Sequence, residues 1–181
     1  SDYRVRKEKP EIYIDFNALA KGYTVDVIAD YLSQLGSQHH LVEIGGEIVA
    51  KGKSPKSDEA WKIGIDSPNE KAERSLQSIL AISNEALATS GNYRKFRIDE
   101  ITGEKYVHSI NPLIGKPVRS KVLSVSVKAP NCMMADAYAT ALMVMPFVES
   151  KALIESNNGL AAYWILSSDG GQLEEVFSSR W

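Results

Sequence analysis

Asp136 and Thr140 stand four residues apart in the run NCMMADAYATAL, residues 131–142. Four residues is one helical turn, so on a helix the two side chains leave the same face. The surrounding residues are apolar and the face reads as buried, where a carboxylate is costly unless something pairs with it. Two readings answer that cost. In one, Asp136 is a first-turn carboxylate favoured by the helix dipole and met by a protein donor. In the other, the carboxylate and threonine oxygens face a hard cation such as Mg²⁺, which takes few protein ligands and completes its shell with water and substrate phosphate. Ala135, Ala137, Ala139 and Ala141 keep this helix slim enough for a ligand or a backbone to come close.

Three more stretches carry chemistry-bearing residues. In DFNALAKGYTVD, residues 15–26, an acid at a strand end is followed by small residues and by Lys21-Gly22 opening a helix. That order suits a phosphate or nucleotide cradle, although the glycine spacing of a P-loop is absent. It equally suits a plain strand–helix connection with an exposed lysine. In ATSGNYRKF, residues 88–96, Thr89, Ser90 and Gly91 offer hydroxyls and a flexible backbone, and Arg94 and Lys95 add positive charge; the same residues could form a polar turn. In YVHSINP, residues 106–112, His108 is a candidate general base, or a structural histidine at a strand end. His39 and His40 are adjacent, so a strand would send them to opposite faces; they read as structural. Cys132, the single cysteine, excludes an internal disulfide and leaves no Cys/His zinc set.

The elements that must position these residues follow from periodicity. Glu11–Asp15 alternates as a strand, and the next segment has Val25, Ile28, Ala29 and Leu32 at helical spacing with Gly36 as its stop. Two short strands flank Gly45-Gly46. A strand runs through Trp61, Ile63 and Ile65 to Pro68, and residues 75–88 give one or two strands turning at Ser83-Asn84. Residues 90–110 read as a hairpin turning near Thr102-Gly103. A strand then ends at Pro130, ahead of the helix bearing Asp136. Pro146 separates that helix from another, and a strand and a final hairpin arm close the chain. Strands outnumber helices without regular βαβ alternation, so the fold class is α+β with mixed or antiparallel strands and a few packed helices. The expected organisation is a polar N-terminal extension, residues 1–11, and one domain, residues 12–181.

Composition agrees with a globular chain: 181 residues, 44% hydrophobic and 24% charged. A net charge of −2 excludes a generic basic nucleic-acid footprint. No apolar run approaches the roughly 18 residues of a membrane-spanning helix.

The order of the blocks says more than any block alone. IDFNALAKGYTVD, VEIGGEI, WKIGIDSP, ATSGNYRKF, HSINPLIGKPV and SVSVKAP followed by ADAYATALMV resemble the successive blocks of the FAD:protein FMN transferases, the ApbE family once called thiamine-biosynthesis lipoproteins. The resemblance runs from about Ile12 to Ile165. It implies an α+β fold that holds FAD with Mg²⁺ and transfers FMN to a threonine or serine hydroxyl of another protein, releasing AMP. By the same resemblance Asp136, Thr140 and the Ala18 carbonyl would be magnesium ligands. Asp15, Lys21, Thr89 and Ile110 would line the FAD site, and His108 would help deprotonate the incoming hydroxyl. FAD hydrolysis to FMN and AMP, or a flavin-binding module without turnover, are the alternatives. The sequence departs from the family pattern at Asn17, Asn111 and Ile114. Only about eleven residues precede the first block, where family members carry well over a hundred, so the chain is expected to be a C-terminal portion. The family further implies acceptor subunits in membrane redox complexes, such as the sodium-translocating NADH:quinone reductase. It implies a place at the outer face of the cytoplasmic membrane through a lipid anchor, with no nucleic-acid partner.

Overall fold

The computed structural model describes residues 4–68, 75–91, 96–98, 105–107, 110–112, 115–117, 120–168 and 172–181. Along the chain the elements are α1 (Ala20–Gln34), β1 (His40–Ile44), β2 (Glu47–Lys51), β3 (Trp61–Asp66), β4 (Leu76–Ile82), β5 (Glu85–Gly91), β6 (Phe96–Ile98), β7 (Lys105–Val107), β8 (Ile110–Asn111) and β9 (Lys116–Pro117). They continue with β10 (Val122–Ala129), α2 (Cys132–Val144), α3 (Phe147–Glu155), β11 (Ala161–Ser167) and β12 (Leu173–Phe177). Among the described residues, six strands form one sheet in the order β1-β2-β5-β10-β11-β12, every neighbouring pair antiparallel. The expected α+β class, with antiparallel strands and a few packed helices, is what the chain adopts.

Both faces of that sheet are covered, which is why β11, AAYWILS, reads as a nearly continuous apolar run. On one face α1 and α2 pack over Val42, Ala86, Ala88, Val125 and Val127. On the other, the β3–β4 hairpin lays Ile63, Ile65 and Ile82 against Ile48, Leu87, Tyr163 and Ile165. Side chains alternate along a strand, so Ala88 of β5 faces the helices and Leu87 faces the hairpin.

The turns form where their chemistry requires. Gly45 and Gly46 both take positive φ, 64° and 101°, between β1 and β2, as a two-residue hairpin loop demands. Asn84 takes φ 55° between β4 and β5, and Pro146 caps α3 just after α2 ends. The hairpin expected over residues 90–110 is present as β6 paired with β7, Phe96 opposite Val107; its turn at Thr102-Gly103 lies outside the described residues.

One expected element is absent. Glu11–Asp15 forms no strand; residues 12–16 are irregular and exposed. Alternation makes a strand only where a neighbour pairs with it and one face can be buried, and Tyr13, at 86% exposed, has neither. Among the described residues no helix is long and apolar enough to cross a membrane.

Candidate functional site

The site grows from the crossing of α1 and α2. Gly22 sits so close to α2 that a Cβ on it would overlap the Cys132 carbonyl and come within 2.8 Å of Asp136 Cβ. This close approach lets the Gly22 N–H donate to Asp136 Oδ2 at 3.0 Å. In a regular helix that N–H would return to the carbonyl four residues back, here Ala18. Among the described residues no backbone N–H donates to the Ala18 carbonyl. The diverted hydrogen bond therefore satisfies a buried carboxylate and, among the described residues, leaves the Ala18 carbonyl without a backbone donor.

Asp136 is 2% exposed. Burial pushes its pKa up, opposed by the Gly22 N–H and by the Lys21 charge. It is the fifth residue of α2 and outside the first turn, so the helix dipole is not what favours this carboxylate. The protein donor that the same reading called for is present in the Gly22 N–H. The first turn is capped by other residues: Asp26 accepts from Cys132 N at 2.7 Å and Met133 N at 2.8 Å, and Asn131 from Met134 N at 2.9 Å. One turn beyond Asp136, Thr140 Oγ1 lies 3.3 Å from Ser90 Oγ of β5.

Lys21, in the first turn of α1, pairs with Glu47 at 2.6 Å, the lysine side chain half exposed and the glutamate almost wholly buried. Burial raises the Glu47 pKa; Lys21 opposes the rise and Asp136 adds to it. When both carboxyls are ionised, two carboxylates against one ammonium leave the group one negative charge in excess.

Lys21 thus lies within electrostatic reach of Asp136, Thr140 follows Asp136 by one turn of α2, and Ala18 precedes Gly22 by four residues at the start of α1. The structure adds Glu47, to which the sequence attached no role, and gives Gly22 and Ser90 specific partners, Asp136 and Thr140. Glu47 was legible only as part of a strand after a Gly-Gly turn, because nothing local says that its side chain is buried beside a lysine 26 positions away. Thr89 is placed elsewhere. Its hydroxyl meets Ser126 Oγ at 2.7 Å, and strand alternation sends it to the face opposite Ser90. Asp15 accepts from Asn17 N at 2.6 Å in the turn before α1. Ile110, 57% exposed, sits on β8, which pairs with β9. His108, Arg94 and Lys95 lie outside the described residues. His39 Nδ1 accepts from Lys53 N at 3.1 Å, and His40 Nδ1 lies 3.3 Å from Ser37 Oγ. Cys132 is buried, which pushes its thiol up to about 12.

Chemically, the residues offer hard oxygen donors: a carboxylate oxygen and a carbonyl oxygen that have no hydrogen-bond donor among the described residues, and a hydroxyl. Among the described residues no three His, Cys, Asp or Glu side chains gather as a metal cage. The donor set and the excess negative charge fit a Mg²⁺-like ion that keeps much of its shell for water and phosphate. They do not fit a soft metal. Beside them, Lys21 at a helix start offers positive charge to an anion.

A sequence model described as the ApbE family matches residues 1–164. The FAD:protein FMN transferase of Vibrio cholerae is 41% identical over 173 residues, covering 96% of this chain and 50% of that protein. That of Haemophilus influenzae is 39% identical over 166 residues, covering 91% and 46%. Among solved structures, the flavin transferase ApbE from Vibrio cholerae superposes with a TM-score of 0.80 at 38% identity, covering 96% of this chain and 53% of that one. The apo form of the Pseudomonas stutzeri flavinyl transferase ApbE gives 0.76 at 34% identity, covering 92% and 49%. The chain spans about half the length of the curated relatives it matches. With its fold, its ordered blocks and these likenesses in agreement, the chain belongs to the ApbE family.

Proposed function

We propose that this protein is a Mg²⁺-dependent flavin transferase that moves FMN from FAD to a threonine or serine hydroxyl of an acceptor flavoprotein and releases AMP. The observation that carries the reading is the Gly22 N–H turned onto buried Asp136. It leaves one Asp136 oxygen, the Thr140 hydroxyl and the Ala18 carbonyl as a hard-oxygen set beside the Lys21 ammonium. The names of the relatives supply the flavin chemistry.

In this reading Asp136, Thr140 and Ala18 hold Mg²⁺, which when bound neutralises charge on the pyrophosphate. Lys21 binds and orients the phosphates, and Asp15 and Ile110 line the FAD site. His108 takes the proton from the acceptor hydroxyl. The hydroxyl oxygen bonds to the FMN phosphorus, the bond from that phosphorus to the bridging oxygen breaks, and AMP leaves with that oxygen. Acceptors are flavoprotein subunits of membrane redox complexes, met at the outer face of the cytoplasmic membrane by a lipid-anchored enzyme; this part rests on the family resemblance.

The test is to incubate the protein with FAD, Mg²⁺ and a threonine-bearing acceptor peptide, and to weigh the peptide. A gain of one FMN that vanishes with EDTA or in Asp136→Ala supports the reading. FAD cleavage that ignores the acceptor would make the protein a pyrophosphatase, and FAD binding without cleavage a non-catalytic module.

A further inference from the structure

Glu47 has no part in the transfer chemistry above, yet it is one of the most deeply buried charged side chains described, 1% exposed. It opens β2 immediately after the Gly45-Gly46 turn, and the turn packs on the pair it makes. The Cα of Gly45 carries its hydrogen where a Cβ would lie 3.6 Å from Glu47 Oε2 and 3.9 Å from Lys21 Cδ. Lys21 acts electrostatically on both buried carboxylates, Glu47 and Asp136, but its close ion pair is with Glu47. A buried carboxylate without a counter-ion is strongly destabilising, so Glu47 holds this lysine firmly.

We propose that Glu47 is a positioning residue that keeps Lys21 away from Asp136. The proposal rests on the reading of Asp136 as a cation ligand. An ammonium has three donors. Held to Glu47 as a close ion pair, the half-exposed ammonium still has donors to offer an anion on its open side. The one negative charge in excess then stays at Asp136, where a divalent cation is held. A place for a cation and a place for a phosphate oxygen are thereby kept side by side, as a metal-bound pyrophosphate requires. With the Glu47 charge removed, Lys21 turns to Asp136 and the two neutralise each other, closing both places.

The test is Mn²⁺ binding to the protein, followed by electron paramagnetic resonance, with Mn²⁺ standing in for Mg²⁺. Glu47→Gln is expected to weaken binding about tenfold, since it frees a unit charge to compete a few ångströms from the ion. Adding Lys21→Met removes the competitor, so the double variant should recover most of that loss. Glu47→Asp keeps the charge and should bind as the unsubstituted protein does, which guards against a Glu47→Gln chain that fails to fold. A double variant as weak as Glu47→Gln, or a Glu47→Asp variant as weak as Glu47→Gln, would overturn the role of Glu47 and leave the cation site standing. Mn²⁺ binding that is absent from the unsubstituted protein, or untouched by Asp136→Ala, would instead overturn the cation site and the inference built on it.

Discussion

Gly22 joins two requirements in one residue: space for α2 to pass, and a backbone N–H aimed at Asp136. Gly22→Ala places a methyl group against backbone that cannot step aside, and overpacking of this kind costs about 3 kcal/mol. Urea denaturation should show that loss, and divalent-cation binding should fall with it because the helices separate at the site. Asp136 itself titrates in an informative direction. Its folded pKa is raised, chiefly by burial, above the ordinary value of 3.8. A carboxyl raised in this way favours folding while protonated; the contribution is complete below the unfolded pKa and is lost as pH rises through the folded one. In metal-free protein Asp136→Asn should therefore be more stable than the parent at neutral pH. The advantage should shrink as pH falls toward 3.8, a trend that melting curves across pH would reveal. The opposite ordering at neutral pH would mean that the carboxylate is better satisfied than the Gly22 N–H alone allows.

At the scale of elements, α1 and α2 are fastened at both ends of their crossing. Gly22 meets Asp136 within α2, and one turn further along α1 Asp26 caps the start of α2 through Cys132 N and Met133 N. An N-terminal cap is worth about 1 kcal/mol, and up to about 2 kcal/mol in favourable protein sites. Asp26→Ala should lose an amount in the upper part of that range, since two amides go unmet. It should also loosen cation binding, because the cap fixes where α2 stands relative to Ala18. Equilibrium unfolding and Mn²⁺ titration would read the two effects. The C-terminal tail is tied to α3 by Glu155, which accepts from the Ser179 hydroxyl and, at 2.9 Å, from Ser179 N. These bonds hold the Glu155 pKa below its ordinary 4.5. The depressed pKa gives a contribution present above about 4.5 and lost as pH falls through the folded value. Ser179→Ala should therefore flatten the acid side of the stability profile.

For the whole molecule, the two-sided sheet concentrates stability at its centre and leaves the outer face of α1 apolar and open. Tyr23, Val27, Tyr31 and Leu35 are exposed along that face. Leu142, wholly buried between α2 and the sheet, is the contrasting case. Leu142→Ala should cost about 2–5 kcal/mol by leaving a cavity. Tyr31→Lys should change stability by less than about 0.5 kcal/mol, as surface substitutions do. Thermal melts of the two variants would check the pair of values, and a large loss in Tyr31→Lys would show that the α1 face is covered in solution.

Much of this protein was determined locally. The helical spacing from Val25 to Leu32, the Gly45-Gly46 and Ser83-Asn84 turns, and the breaks at Pro130 and Pro146 are readable because φ preferences and side-chain periodicity act within a few residues. The one-turn spacing of Asp136 and Thr140 was readable for the same reason. Glu11–Asp15 shows the limit: its alternation was real, but a strand needs a partner, and pairing is not encoded in five residues. The candidate site divides in the same way. The sequence by itself determined which residue types were available and which shared a helical face. Only the tertiary structure decided that Gly22 would answer Asp136, that Glu47 would take Lys21, and that Ser90 would face Thr140 while Thr89 faced away. Those contacts join positions from 26 to 114 residues apart, and burial, which makes a charge costly and its pairing specific, exists only once the chain has closed on itself.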